Sequence, residues 1–583
     1  MVDANGCNAQ SLGTSITVTV GAALTGATMT GSGNGCDGSS SWFSLIVSGG
    51  APPFRVTYTL DGGANTLYSG YINGDHINLG TLGVGNHTVH IVSIQDACNN
   101  FVPSLPADYL FSINAIPDAG ATVNNTGTIC TGGVTDIVLQ STVPSSDFTW
   151  TVANAPAVTW SSAPSGGSRL NGNGTSIAQT LAHTASFPTT VTYTITPAGP
   201  LPTACPGTPI TRTVTVNPSA QVNDPADQVH CAGTAVPLLA FTTNRTGGTT
   251  TYAWTNSNTA IGLAASGSGS LPAFTATNGG TSPVTATITV TPTFTNGGQS
   301  CSGTPQTFTI AVNPSAQVND PADQVHCTGT AVPALGFTTN RTGGTTTYAW
   351  TNSNTTIGLA ASGSGSLPAF TATNGGTAPV TATITVTPTF TNGGQSCSGT
   401  PQTFTITVNP SAQVNDPADQ VRCNNAAVPA LTFTTNRTGG TTTYAWTNSN
   451  TAIGLGASGT GNLPAFTATN GGTSPISATI TVTPTFTNGG QSCSGTPQTF
   501  TITVNPSAQV NDPADQVHCN GVAVPALNFT TNRTGGVTTY AWTNSNTSIG
   551  LGASGSGSLP AFTATNGGTS PVTATVTVTP TFT

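Results

Sequence analysis

Lysine and glutamate are missing from this chain. Across 583 residues all 17 acids are Asp and all 8 bases are Arg. Charged residues make up 4%, against roughly 25% in an average soluble protein. The loss of Lys and Glu, with Thr, Gly and Pro in their place, argues against a mostly helical fold. A net charge of -9 with no Lys offers no basic face to DNA or RNA, so no nucleic-acid partner is expected. No apolar run approaches the roughly 18 residues of a membrane-spanning helix, so membrane insertion is not expected. Without Glu or Lys there is no Glu general acid and no Lys for a Schiff base or a phosphate. GxSxG, HExxH and P-loop motifs are also absent, and His183 and Asp136 stand isolated, so no enzyme is expected. The 36% hydrophobic content at so low a charge density builds cores and argues against a disordered chain.

What is present is repetition. The string PSAQVNDPADQV begins at Pro218, Pro314, Pro410 and Pro506, a period of 96 residues. TNRTGG, YAWTNSN and PAFTATNGG recur at the same period. The expected organisation is a tail of a preceding repeat over 1–20 and a domain over 21–117. A diverged repeat over 118–217 follows, then full repeats over 218–313, 314–409 and 410–505, and a truncated one over 506–583. The opening MVDANGCNAQ has neither a basic n-region nor an apolar h-region. The expectation is therefore an internal piece of a longer exported protein.

Each repeat reads as β-structure. In VTATITVTPTF, Val284, Ala286, Ile288, Val290 and Phe294 alternate with Thr, the period of a strand with one buried face. Phe404, Ile406 and Val408 alternate with Thr403, Thr405 and Thr407 in the same way. Tyr252 and Trp254 fall on one face, and AVPLLAF and LPAFTAT read as further short strands. Turn clusters TGGT, SGSGS, NGGTSP and NGGQS separate them. Short strands at this spacing, with a Trp on an early one, predict an all-β tandem array of Ig-like sandwiches. A β-helix would repeat at roughly 20–30 residues, and no such sub-period occurs.

The 12 cysteines point to an oxidising compartment. Two pairings are open. Within units, Cys36 pairs with Cys98, Cys130 with Cys205, Cys231 with Cys301, Cys327 with Cys397 and Cys423 with Cys493, leaving Cys7 and Cys519. Between neighbours, Cys205 pairs with Cys231, Cys301 with Cys327 and so on, 26 residues apart, and Cys7 with Cys36 and Cys98 with Cys130 complete the set with none left over. The first is favoured on geometry, because the strand after Cys301 carries the chain roughly 33 Å away before Cys327 is reached. A metal reading is poor, since no CxxC occurs and His230 beside Cys231 becomes Arg422 beside Cys423.

Eight of the 17 acids lie in the junction string VNDPADQ, as Asp224 with Asp227, Asp320 with Asp323, Asp416 with Asp419 and Asp512 with Asp515. Paired carboxylates at a junction are the only calcium candidates, and no other cofactor is indicated. Two carboxylates are few for an ion that takes roughly 6–8 oxygens, and an Asx turn before proline accounts for them more simply. Trp254, Trp350, Trp446 and Trp542 are either sugar-stacking platforms or core, and their phase favours core. Asn244-Arg245-Thr246 has the form of a glycosylation sequon, and Arg245 is expected to meet an Asp or a carbonyl.

VDANGC at Val2–Cys7, SGGAPPF at Ser48–Phe54 and SIQDAC at Ser93–Cys98 resemble PKD-like modules of large exported Bacteroidota proteins. The block Tyr252–Pro292 resembles the PKD-like repeats of giant SprB-type gliding-motility adhesins. That resemblance implies Ig-like sandwiches, export by type IX secretion and an extracellular, cell-surface location. It also implies adhesion to an external surface or polysaccharide and contact with the secretion and gliding machinery. PKD-like modules also serve as spacers in secreted enzymes. Multivalent binding repeats are the other reading.

Overall fold

A computed structural model describes residues 16, 18, 20–124, 127–153, 155–160 and 176–583. Cys7 and nearly all of the 1–20 tail lie outside the described residues. By backbone packing the chain forms two compact units. One comprises residues 1–228, 235–274 and 285–310; the other comprises 229–234, 275–284 and 311–583. The chain is an all-β tandem array of Ig-like sandwiches. Among the described residues the only helices are four single-turn 3-10 segments, such as Thr355–Ile357. No helix there is long and apolar enough to cross a membrane.

One sandwich of the second unit, with strands from Gln324 to Asn409, shows the plan. A Cys strand (Gln324–Cys327) lies parallel to an exit strand (Gln402–Asn409). Beside the exit strand runs a long strand (Val380–Asn392), followed by a Trp strand (Thr345–Asn352) and Ser362–Ser364. A hairpin strand (Gln395–Ser398) folds back on the far half of the long strand. The facing layer is small: Ala331–Val332 pairs with Phe370–Thr371, and one bridge joins Leu335 to Leu367. It stays short because Pro333 directly follows Val332 and Pro368 lies two residues before Phe370, and neither carries an N–H for a ladder. The short strands expected from AVPLLAF and LPAFTAT are present as two-residue segments.

The predicted alternation holds residue by residue. Along the long strand Ala382, Ile384, Val386 and Phe390 are buried, while Thr381 and Thr383 are exposed and Thr385, Thr387 and Thr389 half-buried. Pro388 sits within this strand without breaking it. Pairing to the exit strand ends at Val386, pairing to the hairpin strand begins at Thr389, and Pro388 lies between. Its missing N–H costs nothing there, and its carbonyl accepts from Gly399 N–H at 3.0 Å.

Trp350 is 3% exposed and packs with Ile384, Val386, Phe404 and Ile406 in the core. Its cross-strand neighbour is Gly363. A Cβ at Gly363 would stand 2.4 Å from the indole Cζ2, so the ring occupies the space a side chain would need. The same Trp-over-Gly pairing recurs at Trp254, Trp446 and Trp542, all buried. The Trp residues are core, as their phase predicted.

In the first unit, one sandwich holds Phe43, Leu45, Phe54, Val56, Ile91 and Phe111 in its core. Another is built on Phe148, Tyr193, Ile195 and Val214. Burial pushes the Tyr193 phenol up to about 12.

Candidate functional site: the junctions between sandwiches

The chain gathers its special chemistry at the ends of its sandwiches. In the second unit, the exit strand over 402–409 ends on Asn409, which is 0% exposed. Its amide donates to the carbonyls of Asn488 at 3.0 Å and Gln491 at 3.4 Å, in the hairpin turn of the following sandwich. The Asn488 amide donates back to Asn409 Oδ1 at 3.0 Å. The same reciprocal pair joins Asn313 to Asn392 in the second unit and Asn217 to Asn296 in the first.

An arginine fastens the other side of the junction. Arg437 Nε donates to Ser411 O at 2.8 Å, and its Nη1 donates to Gly376 O at 3.0 Å in the preceding sandwich. Arg341 and Arg533 repeat this with Ser315 and Gly280, and with Ser507 and Gly472. Arg245 takes Ser219 O and Ala185 O, so carbonyls rather than an Asp are its partners. A backbone bond from Thr438 N–H to Thr377 O lies beside it. The planar guanidinium spans two carbonyls from successive sandwiches, which a point-charge ammonium does less well. TNRTGG is therefore a junction element.

The cysteines complete the site and correct the expected pairing. The structure joins Cys36 to Cys205, Cys130 to Cys301, Cys231 to Cys397 and Cys327 to Cys493. Each bridge runs from the first cysteine of one sandwich to the second cysteine of the next. Neither the within-unit scheme nor the 26-residue scheme is present. Cys98 and Cys423, both expected in bridges, are free and exposed, as is Cys519.

The reason is where the strands put the two cysteines of one sandwich. Cys327 lies opposite Asn409, at the exit end. Cys397 lies opposite Phe390, on the hairpin at the entry end. Val408, next to Asn409, pairs with Val380, so ten residues of the long strand separate the two levels, about 33 Å. A disulfide needs Cα atoms about 4.4–6.8 Å apart, which rules out Cys327 with Cys397. The within-unit scheme placed the first cysteine at the entry end. In fact the segment after Asn409 runs the length of the following sandwich before Cys423 meets Asn505 at its exit end. Cys397 and Cys423 are thus two sandwiches apart, which removes the other scheme.

The junction aspartates divide into two roles. Asp323 Oδ1 accepts from Thr405 N–H at 2.6 Å, bridging the Cys strand's approach to the exit strand. Asp227 with Thr309 and Asp419 with Thr501 do the same. The backbone N–H, then the Thr hydroxyl, holds each of these carboxyls below the usual carboxylate range. Asp224, Asp320, Asp416, Asp512 and Asp515 are exposed. Among the described residues no group of three or more His, Cys, Asp or Glu converges as a metal site would require.

Glycine also marks the entry end. A Cβ at Gly399 would lie 1.9 Å from the carbonyl oxygen of Ala316, so the entry segment runs against the hairpin with no room for a side chain.

Residues 127–220 match the family model of a PKD-like domain. No curated protein matches the chain. Solved structures aligned with it include the human desmocollin-1 ectodomain, at 11% identity over 78% of this chain and 93% of that one, TM-score 0.19. Domains EC1–4 of Drosophila N-cadherin align at 14% identity over 65% and 99%, TM-score 0.20. Domains EC22–24 of mouse cadherin-23 align at 12% identity over 49% and 99%, TM-score 0.25.

Proposed function

We propose that this chain is a non-catalytic stalk of a large extracellular adhesin, held at the cell surface and carrying load between the cell and an external surface. The repeat boundaries read from the sequence are taken as its mechanical units. The observation that carries the reading is the covalent bridge from each sandwich to the next, reinforced by a buried Asn pair and an Arg clamp. A chain of independently folding binding modules has no need of such ties. The buried Trp residues remove the aromatic row that a sugar-binding surface would present, which sets the multivalent-binder reading behind the stalk. The disulfides fit an oxidising, extracellular setting.

Within that reading, the resemblance of Tyr252–Pro292 to gliding-motility adhesin repeats leads us to assign export by type IX secretion and a role in gliding in a Bacteroidota cell. A role as spacer in a secreted enzyme is the rival. The test is made on source cells. Antibodies against residues 314–409 should label intact cells, and in-frame deletion of 218–505 should reduce surface attachment and gliding. Labelling only after permeabilisation, or secretion of an intact hydrolase carrying these repeats, would overturn the proposal.

A further inference from the structure

The four bridges form two interleaved series. One runs Cys36–Cys205, along the chain to Cys231, across to Cys397 and on toward Cys423. The other runs Cys130–Cys301, along the chain to Cys327, across to Cys493 and on toward Cys519. Each series skips the sandwich cores. Between bridges it uses only a 26-residue link, Cys205 to Cys231 or Cys301 to Cys327, and the stretch from Cys397 to the free Cys423 repeats that link in length and strands.

That stretch is already drawn out. It comprises the exit strand Gln402–Asn409, the junction string and the Cys strand Gln420–Cys423. From Asn409, which touches Asn488, the chain must reach Cys423, opposite Asn505 at the far end of the sandwich. The long strand Ile476–Asn488 spans that distance, about 40 Å for its 13 residues. The 14 residues from Asn409 to Cys423 extend to at most about 50 Å. Little slack remains to be pulled out.

We propose that the disulfides make this array a double covalent tether, in which tension passes along two parallel lines of extended chain and bypasses the sandwich cores. The inference deepens the stalk reading and rests on it for its purpose, but its test needs no adhesion, so the two fail separately. Each line backs up the other. With all bridges formed, the shortest covalent route from Cys36 to Thr583 crosses at Cys36–Cys205, Cys231–Cys397 and Cys327–Cys493, doubling back from Cys397 to Cys327, and contains about 190 residues. Removing Cys231–Cys397 diverts it through Cys36–Cys205, Cys130–Cys301 and Cys327–Cys493, still about 190 residues. Removing Cys327–Cys493 instead diverts it through Cys36–Cys205 and Cys231–Cys397, about 210 residues. Removing both leaves about 360 residues, a gain of about 600 Å of extended chain.

The experiment is single-molecule force extension of the whole chain, held by its two ends in oxidising buffer. The variants are Cys231→Ala/Cys397→Ala, Cys327→Ala/Cys493→Ala and their combination. Each pair alone should leave the maximum extension within about 100 Å of the parent, and the combination should add about 600 Å. Reduction of the parent should release about 1,200 Å in steps, which also shows that the cores are folded and extensible once freed. The proposal is overturned if either pair alone adds several hundred ångströms. It is equally overturned if the oxidised parent already extends to the length of the reduced chain.

Discussion

Replacing Asn409 by Ala tests the junction where it is most buried. The wild-type side chain is fully enclosed, donates to two carbonyls and accepts from the Asn488 amide. Alanine deletes all three bonds and leaves Asn488, which is half-buried, short of a partner, while Gln491 is exposed to water. A net hydrogen bond contributes about 1 kcal/mol, and an enclosed group left without a partner costs about 1–3 kcal/mol. Partial entry of water reduces the sum, so a local loss of about 2–4 kcal/mol is expected. The Cys327–Cys493 bridge keeps the sandwiches adjacent, so the effect should be a local opening. Hydrogen exchange followed by mass spectrometry reads it directly, because protection reports the opening free energy of each segment. Peptides covering 404–412 and 486–493 should exchange about 30- to 1,000-fold faster, while the Trp350 core keeps its protection. Asn409→Asp should be at least as damaging, since a carboxylate cannot donate to the two carbonyls. Exchange within about threefold of wild type at both segments would refute the view that this pair holds the junction.

Further expectations concern the sandwich and its acid response. Gly363→Ala should destabilise its sandwich by about 1–3 kcal/mol through the clash with Trp350, and Trp350→Phe should recover part of that in the double variant, measured by chemical denaturation. Arg437→Lys should loosen the segment around Thr377 and Thr438, seen as faster amide exchange there, because one ammonium cannot hold Ser411 O and Gly376 O with the same geometry. The Asp227, Asp323 and Asp419 carboxyls titrate lower folded than unfolded, so their support is present above the ordinary Asp range near pH 4 and is lost as pH falls through the depressed folded range. Acid melting should therefore steepen below about pH 4, and Asp323→Ala should flatten part of that slope; an unchanged slope would count against these contacts.

Much of the sandwich was legible in the sequence because its period is local. The alternation of Ala382, Ile384 and Val386 with Thr states the buried face, and Trp350 falls in phase with it. The junction was not legible in the same way. Asn409 continues the outward phase of Thr403, Thr405 and Thr407, and only the next sandwich covers it. Arg437 meets its carbonyls through tertiary placement, with no charge pattern to announce it. The cysteine partners depend on the Cys strand lying parallel to the exit strand and ending beside Asn409 or Asn505. One signal was available. The 14 residues from Asn409 to Cys423 match the length of a sandwich, so the first cysteine could have been placed at the far end. A count of cysteines could not decide it, since it carries no information on which end of a sandwich each one occupies.

Disulfide mapping under non-reducing conditions tests the central claim most directly. The peptides differ enough to be told apart: CTGTAV follows from Cys327 and CNNAAV from Cys423, while APVTATITV precedes Cys397 and SPISATITV precedes Cys493. A linked peptide pair joining Cys327 to Cys493 is expected, and another joining Cys231 to Cys397. A pair joining Cys327 to Cys397, or Cys397 to Cys423, would contradict it.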